Sequence, residues 1–175
     1  MTTAARNVVL IGYRGCGKTS VGRSLATRLG WTFVDTDDLI EAAAGCSIRE
    51  IFEREGEAGF RVRETTAVQE VARGTQQVIS VGGGAILSAD NRTMLRGAGV
   101  CVWLTAPPEE LHRRLQADPR SGSTRPALTS KSELEEIRHL LQRRAPLYAE
   151  LAEHVVDTAG RSLEQVVAAV FAFLS

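Results

Sequence analysis

The chain has 175 residues, 43% of them hydrophobic, and this length and composition fit one globular domain with a sizeable core. Its 21 basic and 21 acidic residues cancel, so the charge balance favours neither nucleic acid nor an anionic membrane as a partner. Three scattered cysteines without a C-x-x-C pair argue against a disulfide framework and a zinc site. No apolar run approaches the ~20 residues of a membrane span, and no apolar signal core precedes the first predicted strand. We therefore expect a soluble, cytoplasmic protein, and we expect it to be a monomer.

Positions 12–19 read Gly-Tyr-Arg-Gly-Cys-Gly-Lys-Thr and fit the phosphate-loop pattern G-x-x-x-x-G-K-[ST] at every fixed position. A β-branched run at 7–11 predicts a buried strand before the loop. After it, Val21, Leu25 and Leu29 recur at the four-residue spacing of one helix face. Strand, glycine loop and helix is the context that the motif requires, and it predicts a nucleoside triphosphate site.

The chemistry of this loop assigns roles to its residues. Glycines let successive N–H groups turn inward toward phosphate oxygens, and the helix that follows adds the positive end of its dipole. Lys18 is expected to bridge the β- and γ-phosphates, and the Thr19 hydroxyl to hold Mg²⁺. A thiol at a helix N-terminus should have a lowered pKa, so we expect Cys16 to react with alkylating agents unless ATP is bound. The predicted ATP-binding residues here are Gly12, Gly15, Cys16, Gly17, Lys18, Thr19 and Ser20.

A second predicted strand, 31–35, follows a glycine C-cap at Gly30 and ends in Asp35. Ligands of open α/β sheets bind at the carboxyl ends of the strands, so Asp35 should face the phosphate loop. Another helix opens at once. Asp37 or Asp38 is either an ordinary N-cap of this helix or, in the case of Asp37, a functional carboxylate.

From Ser47 the pattern predicts a short amphipathic helix, interrupted at Gly56 and Gly59, and a longer helix from Phe60. Phe60, Ala67, Val68 and Val71 form the apolar stripe of the longer helix. Arg61 lies about 100° round from Phe60 and faces either solvent or the cleft.

A third strand at 77–81 runs directly into Gly82, Gly83 and Gly84. A triple glycine at the carboxyl end of a strand is either a flexible turn or a backbone that lies against a ligand with no side chain in the way. We favour the second interpretation because the phosphate loop puts a ligand at the same edge of the sheet.

The stretch 118–126 is loop-like, with proline, glycine and serine and no apolar period. A surface linker would explain it. In a phosphotransferase it is also typical of a mobile lid, which excludes water and carries arginine to the transferring phosphoryl group.

The other elements complete an alternation of strands and helices. Helices are predicted at 91–96, from Pro107 through Leu115, at 131–145 and at 162–174, and strands at 100–104 and 154–157. In the helix at 131–145, Arg144 faces inward and Arg143 outward, and Pro146 is expected to end that helix. The fold class is therefore α/β, with a five-stranded parallel sheet covered by helices on both faces, in a single domain.

Six motifs in this order resemble the shikimate kinases, a family in the nucleoside-monophosphate-kinase-like branch of P-loop proteins. The resemblance covers nearly the whole chain and implies a P-loop kinase domain over 1–175 with a mobile lid at about 118–130. The motifs are the loop at 12–19, Phe33-Val-Asp35-Thr-Asp37, Gly59-Phe60-Arg61, Gly82-Gly83-Gly84, Arg125-Pro126 and Arg143-Arg144-Ala-Pro-Leu-Tyr148.

The resemblance implies transfer of the γ-phosphoryl group of Mg²⁺-ATP to the 3-hydroxyl of shikimate. Thr19 and Asp35, the aspartate through water, would serve Mg²⁺. Asp37 would hold the substrate hydroxyls and assist deprotonation of the attacking one. The remaining implied roles are carboxylate binding by Arg61 and Arg144, a substrate floor of Gly82, Gly83 and Gly84, phosphate contact by the lid residue Arg125, and adenine stacking by Arg114, or alternatively Arg113.

Two other functions share parts of this pattern. A gluconate-kinase-like enzyme would have the same phosphate loop, since a fold does not fix a substrate. A regulatory module that binds ATP without turnover would have the loop too. The combination of Lys18, Thr19, Asp35 and Asp37 argues against the regulatory module.

Overall fold

A computed structural model describes residues 6–119 and 132–175. In these ranges the strands form one parallel sheet in the order β2-β3-β1-β4-β5. The strands are β1 (Asn7–Ile11), β2 (Thr32–Asp35), β3 (Gln77–Ser80), β4 (Gly99–Thr105) and β5 (His154–Asp157). The helices are α1 (Lys18–Leu29), α2 (Thr36–Ala44), α3 (Ile48–Ala72), α4 (Ala89–Ala98), α5 (Pro108–Ala117), α6 (Glu133–Leu151) and α7 (Leu163–Leu174), with a 3₁₀ turn at Ala85–Leu87. The predicted α/β class and the predicted parallel sheet are confirmed.

Helices cover both faces of the sheet because alternate side chains of each strand point to opposite sides. In β1, Val8 and Leu10 pack into the cluster that α1 and α7 cover. Val9 and Ile11 pack into the cluster on the other face, beneath α3, α4 and the C-terminal part of α6. The central strand is thus buried on both sides, as its unbroken apolar sequence predicts.

The phosphate loop leaves β1 at the carboxyl edge of the sheet, between the ends of β3 and β4. Gly12 has φ +144°, and a Cβ atom built there would lie 2.3 Å from the carbonyl oxygen of Leu104 at the end of β4. Only glycine fits this position, because any side chain would collide with a fixed backbone. The close approach presses the loop against the sheet edge.

Asp35 caps α2, and the alternative that Asp37 or Asp38 is its N-cap is wrong. The Asp35 side chain accepts a hydrogen bond from the backbone N–H of Asp37, 2.9 Å away. A carboxylate that bonds an amide of the first helical turn satisfies a donor that the helix itself leaves unpaired. Asp37 lies inside the first turn, after the cap.

The helix predicted in two pieces is α3, which is interrupted at Gly56 but not at Gly59. Gly56 has φ 71° and ψ −175°, outside helical geometry, whereas Gly59 is helical. Phe60 is fully buried and stacks on Phe52, with ring centroids 4.8 Å apart. This contact across the kink sets the direction of the long C-terminal segment that carries Arg61.

The prediction that Pro146 ends its helix is wrong, because α6 runs on to Leu151. Proline has a helical φ and costs one hydrogen bond here, to the carbonyl of Gln142 on the exposed side of the helix. Beyond Pro146, Tyr148 and Leu151 are buried in the cluster under α6. Burial of these two side chains outweighs the lost hydrogen bond.

Other element boundaries differ from the sequence predictions by one to two residues, and α4 extends over Ala89–Ala98 because the Ser88 side chain caps it. The predicted lid at about 118–130 lies almost wholly outside the described residues. In the part of the chain that is described, no helix is both long and apolar enough to cross a lipid bilayer.

Candidate active site

A cleft of about 440 Å³ opens at the carboxyl edge of the sheet. Its wall combines residues that follow β1, β2 and β3, because parallel strands end at the same edge. Ten residues predicted for the site line it: Gly15, Gly17, Lys18, Thr19, Ser20, Asp35, Asp37, Gly82, Gly83 and Arg114. Chain segments that are more than 60 residues apart in sequence thus form one concave surface.

The phosphate loop has the backbone geometry that its sequence requires. Gly15 and Gly17 have φ values of 84° and 99°, in the left-handed region, and Gly17 precedes the first turn of α1. The Lys18 ammonium donates hydrogen bonds to the carbonyl oxygens of Gly12, at 2.7 Å, and Tyr13, at 3.1 Å. Its positive charge therefore lies inside the loop, where phosphate oxygens would bind.

Cys16 contributes its backbone to the loop, while its side chain points into the core. Only 1% of the residue is exposed, and the thiol packs in the cluster under α1 and α5. Its sulfur lies 3.7 Å from the Lys18 nitrogen. The expectation that Cys16 reacts readily with alkylating agents is contradicted by this burial.

Thr19 and Asp35 lie side by side at the floor of the cleft. The Thr19 hydroxyl donates a hydrogen bond to a carboxylate oxygen of Asp35, 3.2 Å away. Burial raises the pKa of Asp35 above its ordinary value, and the nearby negative charge of Asp37 raises it further, while the hydrogen bond from the Asp37 N–H opposes both effects. A carboxylate with a raised pKa is one that would gain from a nearby cation.

These two residues fit a magnesium ion. A hydroxyl and a carboxylate are hard oxygen ligands, and Mg²⁺ in nucleotide sites takes one or two protein ligands and completes its shell with phosphates and water. Residues 6–119 and 132–175 contain no cluster of three His, Cys, Asp or Glu side chains suited to a metal.

Asp37 lies in the first turn of α2, where it is partly exposed and lines the cleft. The cap formed by Asp35 fixes the start of this helix and with it the place of Asp37. Phosphate loop, Asp35 and Asp37 thus face the same space, as the sequence predicts.

The triple glycine is buried and begins two residues after the end of β3, with Val81 between them. The N–H of Gly82 donates to the hydroxyl of Thr36, 3.3 Å away, so the segment is tied to the start of α2. A Cβ atom at Gly83 would lie 3.3 Å from the Gly12 carbonyl oxygen. This close packing favours a backbone wall for a ligand over a flexible turn.

Arg61 lies on α3 with its guanidinium against Gly84, and only 23% of its side chain is exposed. A Cβ atom at Gly84 would lie 2.5 Å from both terminal guanidinium nitrogens of Arg61. The guanidinium donates to the buried Glu64 at 2.7 Å and to Glu57 at 3.2 Å. One carboxylate on either side holds the arginine against Gly84.

Arg144 reaches the same wall from α6. It is only 5% exposed, and one of its terminal nitrogens lies 3.5 Å from the position of a Cβ atom at Gly83. Among residues 6–119 and 132–175, no acidic side chain lies within 4.0 Å of this guanidinium to form an ion pair. Arg143, the next residue, is exposed, so the predicted inward and outward orientations are confirmed.

Of the two arginines considered for stacking on adenine, Arg114 is the better placed. Its guanidinium donates to the carbonyl of Gly15 at 3.3 Å and to the hydroxyl and carbonyl of Thr158 at 2.9 and 3.2 Å. Arg113 pairs with Glu110 and has a side chain that is 69% exposed. Both arginines line a second cavity of about 400 Å³ that adjoins the phosphate loop.

Sequence reasoning missed the residues that complete these surfaces. Thr158 bonds Arg114 across 44 positions of the chain, and Gly160 and Arg161 line the same second cavity. No local pattern marks them, because their place depends on the pairing of β4 with β5. Arg125, predicted for the lid, lies outside the described residues.

Comparison with known proteins agrees with this geometry. The sequence matches the family model for shikimate kinase over residues 14–175. A shikimate kinase from Geobacter metallireducens is 47% identical over 172 residues, which cover 98% of this chain and 93% of the relative. The structure of a shikimate kinase from Acinetobacter baumannii in complex with shikimate has a TM-score of 0.90 at 37% identity, covering 97% of this chain and 92% of that one.

A gluconokinase from Sinorhizobium meliloti is more distant. Its structure has a TM-score of 0.59 at 20% identity, covers 98% of this chain and 92% of its own, and shares the fold alone. The chain belongs to the shikimate kinase family.

Proposed function

We propose that this enzyme transfers the γ-phosphoryl group of ATP to the 3-hydroxyl of shikimate, giving shikimate 3-phosphate and ADP. One observation carries the choice of acceptor. Arg144 is a buried cation that lies beside Gly83, and Gly83 lines the cleft that holds the phosphate loop. A buried guanidinium favours a carboxylate partner with matching planar geometry, and the acceptor supplies one.

The nucleotide is proposed to bind along the loop and over the start of α1. Backbone N–H groups at Gly15, Cys16 and Gly17 would contact the phosphates, with further contacts from Ser20 and from Gly12 at the turn. Arg114, held between Gly15 and Thr158, would lie against the base in the second cavity. Adjoining cavities for phosphates and base support this orientation.

Magnesium is proposed to be held by Thr19 and by Asp35, with ATP phosphates and water in the remaining positions. When bound, it would neutralise charge on the β- and γ-phosphates. The raised pKa of Asp35 supports this assignment, since a cation would offset the burial and the Asp37 charge that raise it.

The acceptor is proposed to bind on the backbone wall formed by Gly82, Gly83 and Gly84. Arg61 and Arg144 approach that wall from separate helices, so together they would hold one carboxylate in a fixed orientation. The other end of the acceptor would then face Asp37 and the loop. Two anchors on different elements suit a reaction in which positioning supplies most of the rate enhancement.

In the chemical step, the acceptor hydroxyl oxygen forms a bond to the γ-phosphorus as the bond to the ADP oxygen breaks. Asp37 orients the hydroxyl and accepts its proton, and Lys18 stabilises the negative charge on the phosphoryl oxygens. Arg125, which we assign by sequence resemblance, would contribute a further positive charge. A cytoplasmic location and a monomeric state stay predictions.

A coupled assay of ADP release tests the function. With Mg²⁺-ATP, shikimate should stimulate ADP release strongly, whereas gluconate and buffer should not. Asp37→Asn should abolish the stimulation, while Asp90→Asn, a change at an exposed first-turn aspartate of α4, should leave it intact. ADP release that no acceptor stimulates, or that gluconate stimulates more, would remove the substrate assignment.

A further inference from the structure

Tyr148 is a buried residue to which the reaction described above assigns no role. It lies on α6 one helical turn after Arg144, and side chains four residues apart share a helix face. Tyr148 has no exposed surface, and its ring stacks on Trp103 of β4 with centroids 5.4 Å apart. The phenol is thus fixed in direction by its own helix and by the sheet.

The hydroxyl of this tyrosine is bonded to the triple glycine. It donates to the carbonyl oxygen of Gly83, the residue that contributes to the cleft wall. Burial raises the pKa of Tyr148 strongly, against the opposing effect of the nearby Arg144 charge, so the hydroxyl keeps its proton and remains a donor.

A hydrogen bond matters more here than in an ordinary segment because the bonded peptide lies between two glycines. Rotation of a Gly-Gly peptide meets little steric resistance, so the sequence itself does not fix its direction. In a planar trans peptide the C=O of Gly83 and the N–H of Gly84 point in opposite directions. By holding the carbonyl, Tyr148 also sets the direction of that N–H.

The same residue relates the wall to the carboxylate-binding arginine. A Cβ atom at Gly83 would lie 3.4 Å from the Tyr148 hydroxyl oxygen and 3.5 Å from a terminal nitrogen of Arg144. Tyr148 and Arg144 therefore contact Gly83 from the same helix, and the bonded carbonyl fixes the spacing between the arginine and the glycine wall.

We infer that Tyr148 is a positioning residue for the acceptor. Its hydroxyl fixes the direction of the Gly83–Gly84 peptide and the spacing between the glycine wall and Arg144. The inference rests on the proposed function. It concerns the acceptor side, since the hydroxyl bonds Gly83 and lies beside Arg144. Tyr13 and Cys16 of the phosphate loop also lie near enough to influence the pKa of Tyr148, so the KM for ATP is measured alongside.

The test is Tyr148→Phe, which removes the hydroxyl and keeps the ring on Trp103. The KM for shikimate should rise about tenfold, the effect of losing one well-placed hydrogen bond, while the KM for ATP stays within twofold. In the double variant Tyr148→Phe, Arg144→Lys, the two increases in the shikimate KM should be less than multiplicative. Both changes disturb the same spacing between position 144 and the glycine wall.

The matched control is Asn7→Ala. The buried Asn7 side chain bonds the Gly74 carbonyl and the Gln77 N–H at the amino end of the sheet, so its loss lowers thermal stability far from the cleft. Its KM values should not change. If Asn7→Ala raises the shikimate KM as much as Tyr148→Phe does, general destabilisation explains the effect and the inference is wrong.

Two further results would overturn it: a shikimate KM in Tyr148→Phe within twofold of wild type, or equal rises for both substrates. Should Tyr148→Phe fail to fold, Trp103→Phe provides a second test. That variant keeps the hydroxyl but reduces the surface that holds the ring, and an unchanged shikimate KM there would also contradict the inference. Failure of shikimate to stimulate the wild-type enzyme would instead refute the proposed function.

Discussion

The guanidinium of Arg144 lies over the ring of Tyr13, with its central carbon 5.8 Å from the ring centroid. Tyr13 belongs to the phosphate loop and Arg144 to α6, more than 130 positions later in the chain. A cation over the face of an aromatic ring is attracted by its quadrupole, and more so when the pair is shielded from water. The contact therefore ties the arginine proposed for the acceptor to the loop proposed for the nucleotide.

Arg144→Ala should raise the KM for shikimate about 10- to 100-fold and leave the KM for ATP within twofold. A hydrogen bond between charged groups is worth about 1.5–3 kcal/mol, which corresponds to this range. Steady-state kinetics with each substrate varied in turn measures both values. Arg143→Ala removes the exposed neighbour on the same helix and should change neither. A matching loss of ATP affinity in Arg144→Ala would place this arginine on the nucleotide side.

Arg61→Ala should weaken shikimate binding by a similar factor and also lower the free energy of unfolding. Glu64 is 1% exposed and accepts a 2.7 Å hydrogen bond from Arg61, so removal of the arginine takes a partner from a buried carboxylate. The expected cost is about 1–3 kcal/mol, to be measured by urea denaturation.

The control for Arg61 is Arg63→Ala in the same helix. Arg63 pairs with Glu55 at the surface, where such pairs contribute little to stability. Its KM values and urea midpoint should remain close to wild type. A loss of stability in Arg63→Ala equal to that in Arg61→Ala would show that burial of Glu64 is not the cause.

Arg114→Ala should raise the KM for ATP several-fold and spare the KM for shikimate, because Arg114 is bonded to the phosphate loop at Gly15 and to Thr158. Arg113→Ala should have a smaller effect, since that side chain is 69% exposed. Comparison of the two variants decides between the two arginines that the sequence leaves open. A larger effect in Arg113→Ala would reverse the assignment.

Arg114 also forms an ion pair with Glu110, 2.8 Å away, and this pair should not introduce pH dependence near neutrality. Hydrogen bonds from Arg113 and then Arg114 lower the pKa of Glu110 from 4.5 to about 2. A carboxyl with a lowered pKa contributes its stabilisation above pH 4.5 and loses it as the pH falls through the range from 4.5 to about 2. In Glu110→Gln, any change in the KM for ATP should therefore be the same at pH 6 and pH 8, which kinetics at the two pH values would check.

Alkylation of the native protein should modify Cys46 and spare the other two cysteines. Cys46 is partly exposed, whereas Cys16 and Cys101 are buried. Burial raises the pKa of Cys101 to about 12, so its reactive thiolate is scarce at pH 8. Intact-mass spectrometry after iodoacetamide treatment at pH 8 should show one adduct, and three after denaturation. Modification of Cys16 that ATP prevents would restore the expectation drawn from the sequence.

The local sequence was sufficient for much of the fold. The strand before Gly12, the helix after Lys18 and the alternation of later strands and helices follow from short-range apolar periods. So does the inward orientation of Arg144, because the 100° step of a helix relates it to Leu134 and Ile137. The carboxyl-edge rule for parallel sheets predicts that Asp35 and Gly82 face the loop.

Local rules failed at two helix ends. Proline statistics end a helix at Pro146, yet the buried side chains of Tyr148 and Leu151 continue α6 past it. Helix-end statistics assign the cap of α2 to Asp37 or Asp38, yet the carboxylate of Asp35 makes the bond. The contacts of Tyr148 and Leu151 depend on three-dimensional positions that a sequence window does not contain. The Asp35 bond is local, and the sequence prediction missed it because the residue that ends β2 also caps α2.

The sequence by itself determined the phosphate loop, the order of the elements and the residue types of the site, since these depend on backbone propensities and on fixed spacings. Only the tertiary structure decided that Arg61 turns to Gly84, that Arg114 bonds Thr158, and that Tyr148 holds Gly83. Each of these contacts joins residues from different elements. Their geometry depends on how the helices pack on the sheet. That packing is determined by the free energy of the whole core and cannot be deduced from any single segment.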